Sequence, residues 1–122
     1  QMIKFFSIKS LIINFIIGFI LFSGVAFAHP PSTINAAFDQ DTKILTVQAL
    51  HNVPNPTGDH YIQEIKIKLN GKDMVLQYFL TQTSSGVQEA QYLFIDAKSG
   101  DTIEVYALCN KFGDKTITLN ID

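Results

Sequence analysis

Polar and apolar residues alternate with a period of two along most of the chain after residue 28. Between Lys43 and Leu50, the residues Leu45, Val47 and Ala49 fall on one face while Thr46 and Gln48 fall on the other, the pattern of a half-buried strand. Ile65, Ile67 and Leu69 alternate with Lys66 and Lys68 as far as Asn70-Gly71, a pair that takes the positive φ angles of a tight hairpin turn. A partner strand is therefore expected at once, over Met74 to Leu80. Thr81 to Gly86 reads as a polar loop, and Ala90 to Ile95 supplies a further apolar, aromatic-rich stretch. Ser99-Gly100-Asp101 makes the next turn, after which Ile103, Val105 and Ala107 alternate with Glu104 and Tyr106. Ile117, Leu119 and Ile121 repeat the alternation near the C-terminus, and Thr33 to Phe38 provides a short leading strand.

Seven short strands parted by turn signals, with no helical periodicity after residue 28, predict an all-β domain: an immunoglobulin-like antiparallel β-sandwich, with a small barrel as the alternative. The first 28 residues have a different character. Lys4 and Lys9 precede an apolar run from Leu11 to Phe22, and the stretch closes on Ala26-Phe27-Ala28, with small side chains at the two positions a signal peptidase reads. A cleavable signal helix over 1–28 is expected, with cleavage after Ala28 and a periplasmic or secreted domain of residues 29–122. The apolar run is shorter than the ~20 residues that span a bilayer, so no membrane association is expected after cleavage.

Removing the signal takes Lys4 and Lys9 away while all eleven acidic residues stay, which moves the net charge from −2 to −4. An acidic domain without a basic cluster lacks the means to neutralise phosphates, so nucleic acid is excluded as a partner. The chain offers no Gly-rich phosphate loop, no Ser-His-Asp order and no paired carboxylates, which leaves hydrolytic chemistry without support. Unpaired edge strands of a sandwich leave a homodimer open.

What chemistry the chain does offer is concentrated in four residues. The three histidines are His29, His51 and His60, and the single cysteine is Cys109. His51 continues the inward row Leu45, Val47, Ala49, and Cys109 continues the inward row Ile103, Val105, Ala107, so both stand where a strand leaves the core. His60 follows a Pro- and Gly-rich loop that brings it back towards His51. Imidazole and thiolate are donors for zinc, copper or iron and discriminate against magnesium and calcium, which prefer oxygen. Taken singly, each has a plainer reading: a histidine at a strand end is commonly a hydrogen-bonded surface residue, and a lone buried cysteine commonly packs as a small hydrophobe.

The segments His51-Asn52-Val53-Pro54, His60-Tyr61-Ile62-Gln63-Glu64-Ile65 and Cys109-Asn110-Lys111-Phe112-Gly113 resemble, in order and surroundings, the iron domain of the desulfoferrodoxin and superoxide reductase family. The resemblance spans most of residues 43–121. It implies an immunoglobulin-like sandwich and a non-haem iron, with His51 and His60 as histidine ligands and Cys109 as the thiolate that tunes the metal. It also implies superoxide reduction and a small redox partner protein. Two positions depart from the family pattern: Phe112 stands where the Cys-Asn turn supplies a histidine, and Tyr61 stands where a second histidine is common.

Cleavage after Ala28 would also make His29 the first residue, with its α-amine and imidazole side by side. That resembles the histidine brace of periplasmic copper carriers and copper-dependent polysaccharide oxidases, and it implies copper rather than iron. The other reading of His29-Pro30-Pro31 is an extended, unattached start. A merged site would draw on His29, His51, His60 and Cys109 together. The competing expectation from another class is a metal-free sandwich that binds a protein partner through Tyr61, Tyr78, Phe79, Tyr92 and Phe94.

Overall fold

The computed structural model describes residues 29–122, and the export signal expected over 1–28 lies outside the described residues. Seven strands follow one another: β1 (Thr33–Asp39), β2 (Ile44–Leu50), β3 (Ile62–Leu69), β4 (Lys72–Tyr78), β5 (Val87–Leu93), β6 (Thr102–Cys109) and β7 (Asp114–Asn120). They form two antiparallel sheets, one of three strands in the order β1-β2-β5 and one of four in the order β4-β3-β6-β7. The expected sandwich is what the chain forms. Each predicted strand is present, with bounds moved by a few residues: the β4 segment begins at Lys72, directly after the Asn70-Gly71 turn, and β5 begins at Val87.

The alternation sets the core. Leu45, Val47 and Ala49 from one sheet meet Ile65, Ile67, Ile103, Val105 and Ala107 from the other, all fully buried. Burying side chains of this size contributes roughly 1.5–3 kcal/mol each, and two sheets joined by so few residues depend on it. Asn70 and Gly71 both adopt positive φ, 51° and 81°, as the hairpin requires. The end of the sandwich carrying that turn is closed by a polar clasp, in which Asn70 Nδ2 donates to Asp101 Oδ1 at 3.1 Å and Thr102 N–H donates to Asn70 Oδ1 at 2.9 Å.

One irregularity shapes the opposite end of the sandwich. The pairing of β3 with β6 shifts register between Ile62 and Glu64. A bulge changes which side chains face inward beyond it: Ile62 is fully buried although strict alternation from Ile65 would point it outward. His60, two residues ahead of Ile62, lies beside Cys109, the residue that pairs with Ile62 across the sheet.

The aromatic residues do not make a shared exposed patch. Phe94 is buried, Phe79 and Tyr92 pack against the core, and Tyr61 is half-buried, so among the five only Tyr78 stands well out of the surface.

Candidate metal centre

The four residues singled out in the sequence converge at one end of the sandwich, opposite the Asn70–Asp101 clasp. His51 is the residue after β2, at the end of its inward row, and only 1% of its surface is exposed. Cys109 closes β6, buried as its parity requires, and pairs with Ile62 across the sheet. His60 precedes β3 by two residues, on the side to which the bulge turns Ile62. His29 lies ahead of β1 and is not on a loose start. Ser32 N–H donates to Leu50 O at 2.8 Å, Pro31 is buried, and Pro30 packs against Gly113 so closely that a Cβ at that glycine would lie 2.8 Å from Pro30 Cβ.

The three imidazoles form a compact group. Ring centroids are 4.6 Å apart for His29 and His51, 5.0 Å for His29 and His60, and 4.8 Å for His51 and His60. One donor nitrogen from each lies within 4.8 Å of the other two. Cys109 joins this group through His60, whose Nε2 is 3.2 Å from Cys109 Sγ. The sulfur also accepts Lys111 N–H at 3.4 Å, inside a turn closed by Cys109 N–H to Gly113 O at 3.0 Å. Gly113 has φ of 84°, the left-handed conformation that suits glycine.

Asn110 ties this turn to the segment that carries His60. Its Oδ1 accepts Tyr61 N–H at 2.9 Å, its Nδ2 donates to Asp59 O at 2.7 Å, and its own N–H donates to Tyr61 O at 3.0 Å. Both neighbours of His60 are thus fixed to the residue next to Cys109. The Lys111–Asp59 ion pair across the same gap is 3.5 Å long and solvent-exposed, and contributes little.

His51 is held from behind by Gln82, in the loop between β4 and β5. Gln82 is buried; its Oε1 accepts from His51 Nδ1 at 2.9 Å and from Ile62 N–H at 3.2 Å, while its Nε2 donates to His51 O at 2.7 Å and Ser84 O at 2.9 Å. The polar-loop reading of Thr81 to Gly86 misses this residue, since no periodicity marks a single buried amide in a run of Thr, Ser and Gln. The other ring nitrogen, His51 Nε2, lies 3.1 Å from His29 O. With the Nδ1 proton committed to Gln82, two electron pairs face each other there unless a proton or a cation intervenes.

The electrostatics run the same way. Burial first, then the neighbouring His51 and His29, hold His60 below the ordinary histidine value, against a weaker opposite pull from Asp59. Neutral imidazole is the state that binds metal. The group contains nitrogen donors and an adjoining sulfur and no carboxylate, a set that suits zinc, copper or iron and not the oxygen-seeking alkaline-earth ions. Three nearby histidines could hold a metal ion, with Cys109 beside one of them. His29 Nδ1 lies 3.1 Å from Pro30 O and its Nε2 2.9 Å from Asn52 O, so ligation by His29 would replace one of these contacts.

Comparison of the chain with family models, with curated proteins and with solved structures returns no match.

Proposed function

We propose that this domain is an exported transition-metal protein, a diverged relative of the desulfoferrodoxin and superoxide reductase family, holding one ion between His29, His51, His60 and Cys109. The observation that carries this reading is the mutual approach of donor nitrogens from three imidazoles, each from a different segment, to within 4.8 Å of one another. Imidazoles this close disfavour one another's protonation, which favours the neutral form that binds metal. The resemblance of the His51, His60 and Cys109 segments to that family favours iron over copper or zinc. Bound iron supplies a one-electron couple suited to reducing superoxide, with a small redox protein as the source of the electron.

The protein's own residues would hold the ion and set its surroundings. His51 and Cys109 are the buried, fixed donors, each in line with an inward row of a strand. His29 and His60 are half-exposed and form the solvent side, where a small reactant has access. The hydrogen bond from Lys111 N–H to Cys109 Sγ draws charge from the sulfur, which is one of the ways a protein adjusts the potential of a thiolate-bound metal.

A copper-binding reading is favoured by one specific feature, the presence of the His29 ring in the group. Elemental analysis decides between them. The domain is exported with its signal in place and purified without added metal, alongside His51→Ala and Cys109→Ser. The expected result is one iron per chain, lost in His51→Ala, with Cys109→Ser lacking any thiolate-to-metal absorption band. Copper retained through His29 in place of iron supports the brace. A wild-type domain that takes up neither iron, copper nor zinc contradicts the metal reading altogether.

A further inference from the structure

We infer that Gln82 is a positioning residue for the metal centre: it fixes His51 as the Nδ1–H tautomer and so presents Nε2 as the coordinating nitrogen. This role rests on the metal-binding reading and adds to it a residue that no ligand pattern points to.

The four partners of one side-chain amide assign it. An amide is ambiguous about which end is oxygen until its neighbours decide. Here the backbone decides. Ile62 N–H can only donate, so the atom it meets at 3.2 Å is Oε1. The carbonyl oxygens of His51 and Ser84 can only accept, so the atom they meet at 2.7 and 2.9 Å is Nε2. Turning the amide over would set oxygen against two carbonyls and nitrogen against an N–H, inside a buried site where each unmet group costs roughly 1–3 kcal/mol. Oε1 therefore faces His51 Nδ1 at 2.9 Å as an acceptor, while Nε2 faces a second acceptor, the His29 carbonyl oxygen, at 3.1 Å. A neutral ring can donate to only one of them, and we assign its hydrogen to Nδ1, the shorter contact, whose acceptor is buried and held by three other hydrogen bonds. In the neutral ring the lone pair is then on Nε2, facing the His29 carbonyl oxygen at 3.1 Å, where a cation would take the place of the absent hydrogen.

Gln82 does more than select the tautomer. It bonds to the side chain and to the backbone carbonyl of His51, which fixes the ring's direction as well as its position. Its contact with Ile62 N–H ties that direction to the start of β3, two residues from His60. One buried amide therefore relates two of the histidines. Its own place is set by Gln82 N–H to Pro56 O at 2.9 Å, which anchors the β4–β5 loop on the loop between His51 and His60. Outer partners of this kind orient ligating histidines, and their loss typically weakens metal binding by about 10- to 100-fold.

The test compares the wild-type domain with Gln82→Met and Gln82→Glu. In the metal-free proteins, long-range nitrogen–proton correlation spectra at about pH 8, above the ordinary histidine range, report which ring nitrogen of His51 carries the hydrogen. Zinc titration of the same samples reports affinity. The expected wild-type spectrum is that of the Nδ1–H tautomer. Gln82→Met should show a mixed or reversed tautomer and a zinc affinity lower by about 10- to 100-fold. Gln82→Glu keeps an acceptor against Nδ1 but sets oxygen in place of the donor to the His51 and Ser84 carbonyls, so it should lower stability while keeping the Nδ1–H tautomer and binding zinc more tightly than Gln82→Met. An Nε2–H tautomer in the wild-type protein overturns the assignment without recourse to any variant. A folded Gln82→Met with unchanged tautomer and unchanged affinity overturns it as well. Failure of the wild-type domain to bind zinc would instead count against the metal reading, while its tautomer still decides what Gln82 does to His51.

Discussion

Each histidine of the cluster has the other two as neighbours, and His60 shows the consequence. Its folded-state value lies below 6.5, chiefly through burial and then through His51 and His29. The folded, metal-free domain therefore releases this proton at a lower pH than the unfolded chain does. Between the lowered value and 6.5 the unfolded chain binds more protons, so stability rises with pH across that window and is complete above it. Denaturant unfolding between about pH 5 and pH 8 should show this rise in the metal-free wild type and a flatter profile in His60→Gln. Identical profiles would mean that neither burial nor the neighbouring histidines lower the His60 value in the folded domain. The sequence reveals His51 and Cys109 well, because each extends an inward row by one step of two and both are buried as that parity requires. It reveals Gln82 not at all: a buried amide with four partners looks, in one dimension, like any other polar loop residue.

At the level of elements, the strands and the Asn70-Gly71 turn are legible because each depends on local pattern and local φ angles. The bulge between Ile62 and Glu64 is not, since it appears only in the pairing with β6. His60 stands just ahead of that bulge and beside Cys109, so the convergence of the site is hidden from alternation alone. The docking of the N-terminal segment is hidden for the same reason: it rests on Pro30 against Gly113, residues far apart in the chain. Two glycines separate this contact from ordinary backbone strain. Gly71 and Gly113 have nearly the same φ, 81° and 84°, but a Cβ at Gly71 meets nothing within 4 Å, whereas one at Gly113 meets Pro30. Alanine at either position costs roughly 1 kcal/mol of left-handed strain. Gly113→Ala should in addition push Pro30 away, displace His29 and weaken metal affinity on the order of tenfold, with Gly71→Ala unchanged. Equal affinities in calorimetric titrations of the two variants would show that this contact does not set His29.

In the whole molecule, the two ends of the sandwich have separate tasks. One is closed by Asn70 and Asp101, while the other gathers His29, His51, His60 and Cys109 from the ends of four segments. Between them lies a core of fully buried Leu45, Val47, Ile65, Ile67, Ile103 and Val105, rigid enough to hold side chains from both sheets in a fixed relation. The architecture is legible from counting strands and turns. The meeting of the histidines depends on how the two sheets stack, which fixes the distance between the end of β2 and the ends of β3 and β6. Ligands so dispersed along the chain come together only in the folded domain, so a bound ion favours the folded state over the unfolded one. The most direct test is X-ray absorption at the metal edge of the zinc-loaded domain. The expected spectrum has imidazole nitrogens at about 2.0–2.1 Å and one sulfur at about 2.3 Å, with the sulfur shell absent in Cys109→Ser. A shell of oxygen atoms alone, with neither imidazole scattering nor sulfur, would contradict a centre built from these three histidines and Cys109.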